Sequence, residues 1–267
     1  MSPTTYELYA VKYAHLPRPA AQNFSFAADA HDGPMPLDFF VWVAKSPERT
    51  FVIDTGFDHP TGERRGREIL RNAADGLAAI GVDAGQVEDV IITHMHHDHA
   101  GNLGVFRRAR FHLQDREMAY ATGRYMCHAR LQMPFDLDNT LDMVRQVYAG
   151  RVAFHDGDAE IASGLSVHRV GGHSDGLQFV RVHTERGWVV VASDAIHFYA
   201  NVETGNPFPI VFNVGDMMEG WARCRRLAAS ADHIVPGHDP LVRARYPAPS
   251  PELEDIAVRL DVAPSAA

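Results

Sequence analysis

His94, His96, Asp98 and His99 fall within six residues, in the segment His94-Met95-His96-His97-Asp98-His99, directly after the apolar run Val90-Ile91-Ile92. Imidazole and carboxylate suit zinc and other borderline first-row ions. So many ligands in so short a stretch crowd a single ion. They can serve two adjacent ions, with His94 and His96 on one and Asp98 and His99 on the other. Further along, His173 follows a strand-like segment in Val170-Gly171-Gly172-His173, where two glycines permit a tight turn. Asp194 ends the apolar stretch Val191-Ala192-Ser193-Asp194, and His238 stands in Pro236-Gly237-His238. Taken singly, each reads as an ordinary polar residue or a helix cap. Together they put a metal-competent side chain at three strand ends downstream of the histidine cluster. The chemistry this allows is metal-assisted hydrolysis, because two ions roughly 3.5–4 Å apart can share a water and lower its pKa toward neutrality.

Such side chains need a rigid scaffold, and strand ends opening into loops provide one. Aromatic and β-branched runs predict strands over 6–14, 37–44, 49–53, 90–93, 109–113, 151–155, 165–170, 177–183, 188–192 and 233–235. Ile69, Leu70, Ala73, Leu77 and Ile80 share one helical face, which predicts a helix over 66–80 with Gly81 as its C-cap. A second helix is expected over 221–229. Strands that come singly or in hairpins, with helices between them, predict an α/β chain with two sheets or one large mixed sheet. Residues 1–267 read as a single domain. The Pro- and Ala-rich tail from Pro247 is expected to be only partly ordered.

The 267 residues carry 34 acidic and 25 basic side chains, a formal charge of -9, which lacks the basic footprint of a nucleic-acid binder. No apolar run reaches the roughly 18 residues that span a bilayer. The first twenty residues lack a basic start followed by an apolar stretch, so no signal peptide is expected. Two cysteines, Cys127 and Cys224, are too few for a disulfide framework. A cytoplasmic location follows as the default. Sixteen histidines are the compositional outlier, and the ligand pattern above explains several of them.

The order HxHxDH, then His, then Asp, then Gly-His resembles the metallo-β-lactamase superfamily over roughly residues 36–240, and Asp54-Thr55-Gly56 matches the turn that precedes the motif there. The resemblance implies an αββα sandwich with two divalent metal ions, zinc by expectation, at one edge between the sheets. It assigns His94, His96 and His173 to one ion and Asp98, His99 and His238 to the other. Asp194 bridges them, and Asp54 orients the histidine loop without binding metal. Neither cysteine stands at a ligand position, unlike the lactamases that use one. The 29 residues after His238 are too few for the glutathione-binding helical region of glyoxalase II. No basic arm of the RNA-processing members and no flavin domain is evident.

The lactonase group remains, known for opening N-acyl homoserine lactones. What it implies is a small-molecule lactone or related cyclic ester, opened by a hydroxide bridging the two metals, with Asp98 placed to carry the proton to the leaving alkoxide. Those lactonases have a tyrosine three residues after the bridging Asp. Here that position is His197, followed by Phe198 and Tyr199, so either His197 or Tyr199 takes over the donor role. Other readings of the same ligands are a mononuclear iron persulfide dioxygenase, or a hydrolase of another ester, thioester, cyclic amide or phosphotriester. Met126, Met133 and Phe135 in one aromatic-rich segment, and Phe208 and Phe212 in another, are candidates for the substrate pocket. The partners expected are the substrate and, as an open option, a second copy of the chain. His97 reads as a support to the ligands or as solvated.

Overall fold

The computed structural model describes residues 2–26 and 33–265. Its first sheet holds β1 (Glu7–Leu16), β2 (Leu37–Lys45), β3 (Thr50–Ile53), β4 (Glu68–Ile69), β5 (Asp89–Ile91), β6 (Arg110–Gln114) and β7 (Val152–His155). The second holds β8 (Ala159–Ala162), β9 (Leu165–Arg169), β10 (Gln178–Thr184), β11 (Gly187–Ser193) and β12 (Ile234–Pro236). A last strand, β13 (Ala257–Arg259), returns to the first sheet, whose order is β13-β1-β2-β3-β5-β6-β7 with β4 also paired to β1. The second sheet runs β12-β11-β10-β9-β8. Between strands lie α1 (His59–Arg65), α2 (Ala73–Ala79), α3 (Asp115–Ala121), α4 (Ala129–Gln132), α5 (Leu137–Tyr148), α6 (Tyr199–Thr204), α7 (Val214–Leu227) and α8 (Leu241–Arg245).

The layering follows from strands that are apolar on both faces, as sheets covered on both sides require. On β2, Phe39, Val41 and Val43 share a core with Leu77 of α2 and Met143 of α5. The alternate residues Phe40, Trp42 and Ala44 face Val180, Val189 and Val191 across the gap between the sheets. On β11, Val190 and Ala192 pack outward against Met217, Trp221 and Cys224 of α7. Helix, sheet, sheet and helix therefore stack as the αββα sandwich expected from the sequence.

Strand direction positions the site. β3 and β5 are parallel neighbours, so Asp54 and the histidine loop leave the first sheet at the same edge. β11 and β12 are also parallel, and they deliver Asp194 and His238 together from the second sheet. Thr93 joins the two edges: its carbonyl accepts from the Gln178 amide at 3.0 Å, and its hydroxyl lies 2.9 Å from that of Ser193.

Three expectations are corrected. The segment 66–80 is not one helix. Gly66 adopts φ +62° and ends α1, Glu68 and Ile69 pair with His15 and Ala14 of β1, and helix resumes only at Ala73. Leu70, assigned to the buried face, is 42% exposed. The C-terminal segment is not a loose tail: β13 pairs with Tyr9, Ala10 and Val11, and Ala257, Val258, Leu260 and Asp261 are buried. Only its last two residues lie outside the described chain. α7 begins at Val214, earlier than expected, because Asn213 caps it by accepting from the Asp216 amide. Among the described residues no helix is long and apolar enough to cross a membrane.

Candidate metal centre

The seven side chains singled out from the sequence converge, all of them buried. His94, His96, His173 and Asp194 form one group of ligand atoms and Asp98, His99 and His238 a second, with atoms in each lying within 4.8 Å of one another. Asp194 faces both. Its Oδ2 lies 3.1 Å from His173 Nε2 and 3.8 Å from His94 Nε2. Its Oδ1 lies 3.1 Å from His238 Nε2 and 3.3 Å from His99 Nε2. Asp98 Oδ2 stands 3.6 Å from His99 Nε2 and 3.7 Å from His238 Nε2.

Backbone and carboxylate acceptors set the rings. The far nitrogen Nδ1 of His173 donates to the Ile210 carbonyl at 2.7 Å, that of His238 to the Asp38 carbonyl at 2.9 Å, and that of His99 to Asp54 Oδ2 at 2.7 Å. His94 Nδ1 lies 3.2 Å from the Thr93 hydroxyl. Each partner fixes the tautomer that turns the Nε2 lone pair inward, as supporting groups do around metal-binding histidines. His96 instead presents Nδ1, 2.8 Å from His173 Nε2. Inside, the Nε2 atoms of His94 and His99 and Oδ1 of Asp194 are buried with no hydrogen-bond partner. Buried polar groups are normally satisfied. A set of inward lone pairs and carboxylate oxygens is the chemistry of a cation site, so the residues fit divalent metal.

Electrostatics agree. Burial, with the neighbouring rings, holds His94 and His96 well below the ordinary imidazole range and so neutral. Burial alone would lift Asp98 and Asp194, but the surrounding histidines, His97 foremost for Asp98 and His197 for Asp194, keep both below the usual carboxylate range. Burial likewise opposes charge on His99, yet Asp194, Asp98 and Asp54 outweigh it and raise that ring. Positive charge is therefore favoured among Asp194, Asp98 and His99.

The backbone is shaped to bring these groups close. Asp54 and Ser193 hold φ of +62° and +46°, unusual for residues with a Cβ and found mainly where the surroundings enforce them. Gly171 and Gly172, at +67° and +89°, make the turn that delivers His173. A Cβ on Gly237 would lie 2.7 Å from the Ser193 carbonyl oxygen and 2.9 Å from Asp194 Oδ1, so only glycine lets the His238 strand pass Asp194.

Asp54 receives the Thr93 amide at 2.7 Å and hydroxyl at 2.8 Å besides His99, and so braces the loop as expected. His197 joins the centre: its Nε2 is 2.9 Å from Asp194 Oδ2 and its ring stacks on Phe208 at 3.9 Å. Tyr199 does not. Its ring packs with the core between the sheets, under the Arg245 guanidinium at 4.7 Å, because α6 starts at this residue and turns it away. His97 is buried rather than solvated, bonded to the Pro134 carbonyl at 3.0 Å.

Phe135 meets the His96 ring edge-on at 4.6 Å, and Phe212 packs on Tyr120 at 4.9 Å. A narrow cleft lined by His96, Tyr120, Arg130, His173, Ile210 and Phe212 reaches the centre between the two aromatic-rich segments. Met126 and Met133 line a neighbouring open cavity of about 450 Å³ that also includes Phe135. A larger cavity, about 630 Å³, is lined by Val82, Asp83, Arg107 and their neighbours and includes none of the site residues.

Two supporting residues were not foreseen. Glu117 of α3 accepts from the Met95 amide at 2.8 Å, the Ser174 hydroxyl at 2.7 Å and the Gly176 amide at 3.0 Å, and so ties the histidine loop to the His173 loop. The Tyr13 hydroxyl donates to the Asp98 carbonyl at 3.0 Å. Neither residue has a spacing that marks it in the sequence.

The profile of the metallo-beta-lactamase superfamily matches residues 39–248. Over 196 residues the chain is 29% identical to metallo-beta-lactamase domain-containing protein 1 of Homo sapiens, a match spanning 73% of this chain and 62% of that protein. The chain thus spans less than two thirds of that relative's length. Among solved structures, a quorum-quenching N-acyl homoserine lactone lactonase superposes with a TM-score of 0.75 at 21% identity, over 90% of this chain and 95% of that one. A probable metal-dependent hydrolase from Staphylococcus aureus gives 0.72 at 14% identity, over 100% and 97%. The dizinc quorum-quenching lactonase AidC gives 0.69 at 14%, over 90% of each. At such identities these likenesses establish the shared fold.

Proposed function

The chain belongs to the metallo-β-lactamase superfamily of metal-dependent hydrolases, and on that premise we propose that it is a dinuclear hydrolase that opens a lactone or related cyclic ester. The observation that carries this reading is the division of Asp194, one carboxylate oxygen toward His94 and His173 and the other toward His99 and His238. A mononuclear site made from two His and one Asp would leave Asp98, His99, His238 and one histidine of the first group without a task. The lactonases with the same fold point to carboxylic esters as the substrate class. Two divalent ions, zinc by preference of the ligand set, would supply Lewis acidity and a water of lowered pKa.

The chain's own groups then position and discriminate. Asp54, Thr93 and the Asp38 and Ile210 carbonyls hold the rings in register. The cleft along Tyr120, Ile210 and Phe212 leads to His96 and His173, and the neighbouring cavity lined by Met126, Met133 and Phe135 is the side on which an apolar substrate portion would lie. We assign to His197 the donor role toward an oxygen of the substrate; its Nε2 lies 2.9 Å from Asp194 Oδ2 and its ring is held flat against Phe208. His197→Ala is expected to lower turnover on the order of 10²–10³, the scale for one lost oxyanion donor. Bound metal, measured by elemental analysis, should not change. Loss of an ion instead would make His197 a ligand, and full activity would remove it from the reaction.

The overall reading is tested by screening the holoenzyme against an N-acyl homoserine lactone, γ-butyrolactone, a thioester, a cyclic amide and a phosphotriester, with metal quantified. Lactone opening is expected to lead, with about two ions per chain as in two-metal hydrolases. A single iron with persulfide oxidation, or a phosphotriester as the best substrate, would displace it.

A further inference from the structure

Two half-buried arginines, Arg18 and Arg67, each pack on an aromatic ring that touches a histidine of the centre, and among the described residues neither pairs with a carboxylate. The Arg18 guanidinium lies 5.0 Å from the centroid of the Phe208 ring, the ring that stacks on His197. Arg67 lies 5.8 Å from the centroid of Phe39, and that ring meets His238 at 5.1 Å. Each cation is thus one aromatic ring away from a histidine of the site.

Some arginines are neutralised by a carboxylate, among them Arg49 by Asp89, Arg64 by Asp136, Arg116 by Asp175 and Arg259 by Asp261, while others, such as Arg65, Arg71 and Arg151, donate to backbone carbonyls. Arg18 and Arg67 are of the second kind, donating to the Gln22 and Arg65 carbonyls, and the Nε of each is buried without a partner among the described residues. Burial and the nearby charge of Arg67 push Arg18 down to about 10, which still leaves it cationic at neutral pH. Arg67 feels the negative charge of Asp98, but that carboxylate belongs to the metal centre. Holding two like charges half-buried and unpaired is unfavourable, and a negative group on a ligand would relieve it. Guanidinium groups bind carboxylate and phosphate through paired, charge-assisted hydrogen bonds.

We propose that Arg18 and Arg67 form a subsite for a negatively charged group, carboxylate or phosphate, carried by the substrate beside its scissile ester. This rests on the hydrolase reading and narrows it from esters in general to anionic ones. The side of the centre lined by Met126, Met133, Phe135 and Phe212 and the two arginines would then read different parts of one molecule.

The test compares γ-butyrolactone with γ-carboxy-γ-butyrolactone as substrates of the zinc-loaded wild type, Arg18→Gln, Arg67→Gln and the double variant. The wild type is expected to favour the carboxylated lactone. In the double variant the ratio of the two kcat/KM values should fall about 10–100-fold, the range for hydrogen bonds to a charged group, chiefly through KM. Raising ionic strength should weaken only the charged substrate. In parallel, glutarate and methyl phosphate should raise the Tm of the holoenzyme, with the larger shift identifying the preferred anion, and the double variant should lose that shift. A ratio equal in wild type and double variant overturns the proposal. So does an undiminished Tm shift in the double variant, which would put the anion on the metals alone. If neither lactone is opened while the Tm shift depends on the arginines, the hydrolase reading fails and the anion subsite stands.

Discussion

Asp194→Ala is expected to lose at least one of two bound ions and to cut turnover by 10²–10³ or more, the scale on which removing one electrostatic stabiliser acts. Two dications about 4 Å apart repel by roughly 16 kcal/mol at an effective dielectric of about 20, four times the value for unit charges. Shared anions are what make such a pair tolerable. Among the described ligands Asp194 is the one whose two oxygens address both groups, so its removal leaves the repulsion least compensated. The fold should survive, because β11 is anchored through Val189 and Val191 to the core between the sheets and through Val190 to α7. Asp194→Asn keeps the size and hydrogen-bonding capacity but not the charge, and should resemble the Ala variant in metal content. Elemental analysis, turnover and far-UV circular dichroism together check this. Two ions and wild-type turnover in Asp194→Ala would end the bridging assignment.

What the sequence revealed about this centre and what it hid have a common physical cause. Ligand atoms sit on side chains whose types are rare and whose spacing follows strand ends, so His94, His96, Asp98, His99, His173, Asp194 and His238 could be picked out and are brought together. The groups that orient them are largely backbone. The Asp38 and Ile210 carbonyls that hold His238 and His173 have no residue-type signature at all. The choice between His197 and Tyr199 was invisible for a different reason. Two residues apart, they part company only because α6 begins at Tyr199 and rotates its ring toward Arg245.

The fold shows the same division. Strands with both faces buried announce themselves as continuous apolar runs, which is why β2 and β11 were legible. The segment 66–80 was not, because Ile69 and Leu70 satisfy a helical period while their actual environment is long-range. Ile69 pairs with Ala14 of β1 and packs so closely on Gly62 that a Cβ there would lie 2.5 Å from its Cδ1. β13 was missed because three residues paired to β1 make too short a pattern to stand out from a Pro-rich surrounding.

Glu117→Ala should produce the largest stability effect in the molecule outside the core. The carboxylate is fully buried and accepts from the Met95 amide, the Ser174 hydroxyl and the Gly176 amide. Burial raises its pKa, and those three donors oppose the rise. Truncation would strand all three donors in a dry interior, at about 1–3 kcal/mol each before relaxation. With partial relaxation the expected loss is about 3–5 kcal/mol, or roughly 10 °C in the Tm of a chain this size. A second effect follows from what those donors belong to. Met95 sits between His94 and His96, and Ser174 follows His173, so Glu117 sets the distance between two halves of one ligand group. Metal affinity should fall about 10–100-fold, as when a group supporting the ligands is lost. Glu117→Gln keeps one acceptor oxygen and should recover part of both losses. It cannot recover all, because its amide nitrogen must face either the Met95 amide or the Ser174 and Gly176 donors. Thermal unfolding of chelator-treated protein measures the first effect free of metal linkage, and competition with a zinc chelator measures the second. If stability fell but metal affinity did not, Glu117 would brace the fold alone and the His173 loop would be held by the Ile210 carbonyl without it.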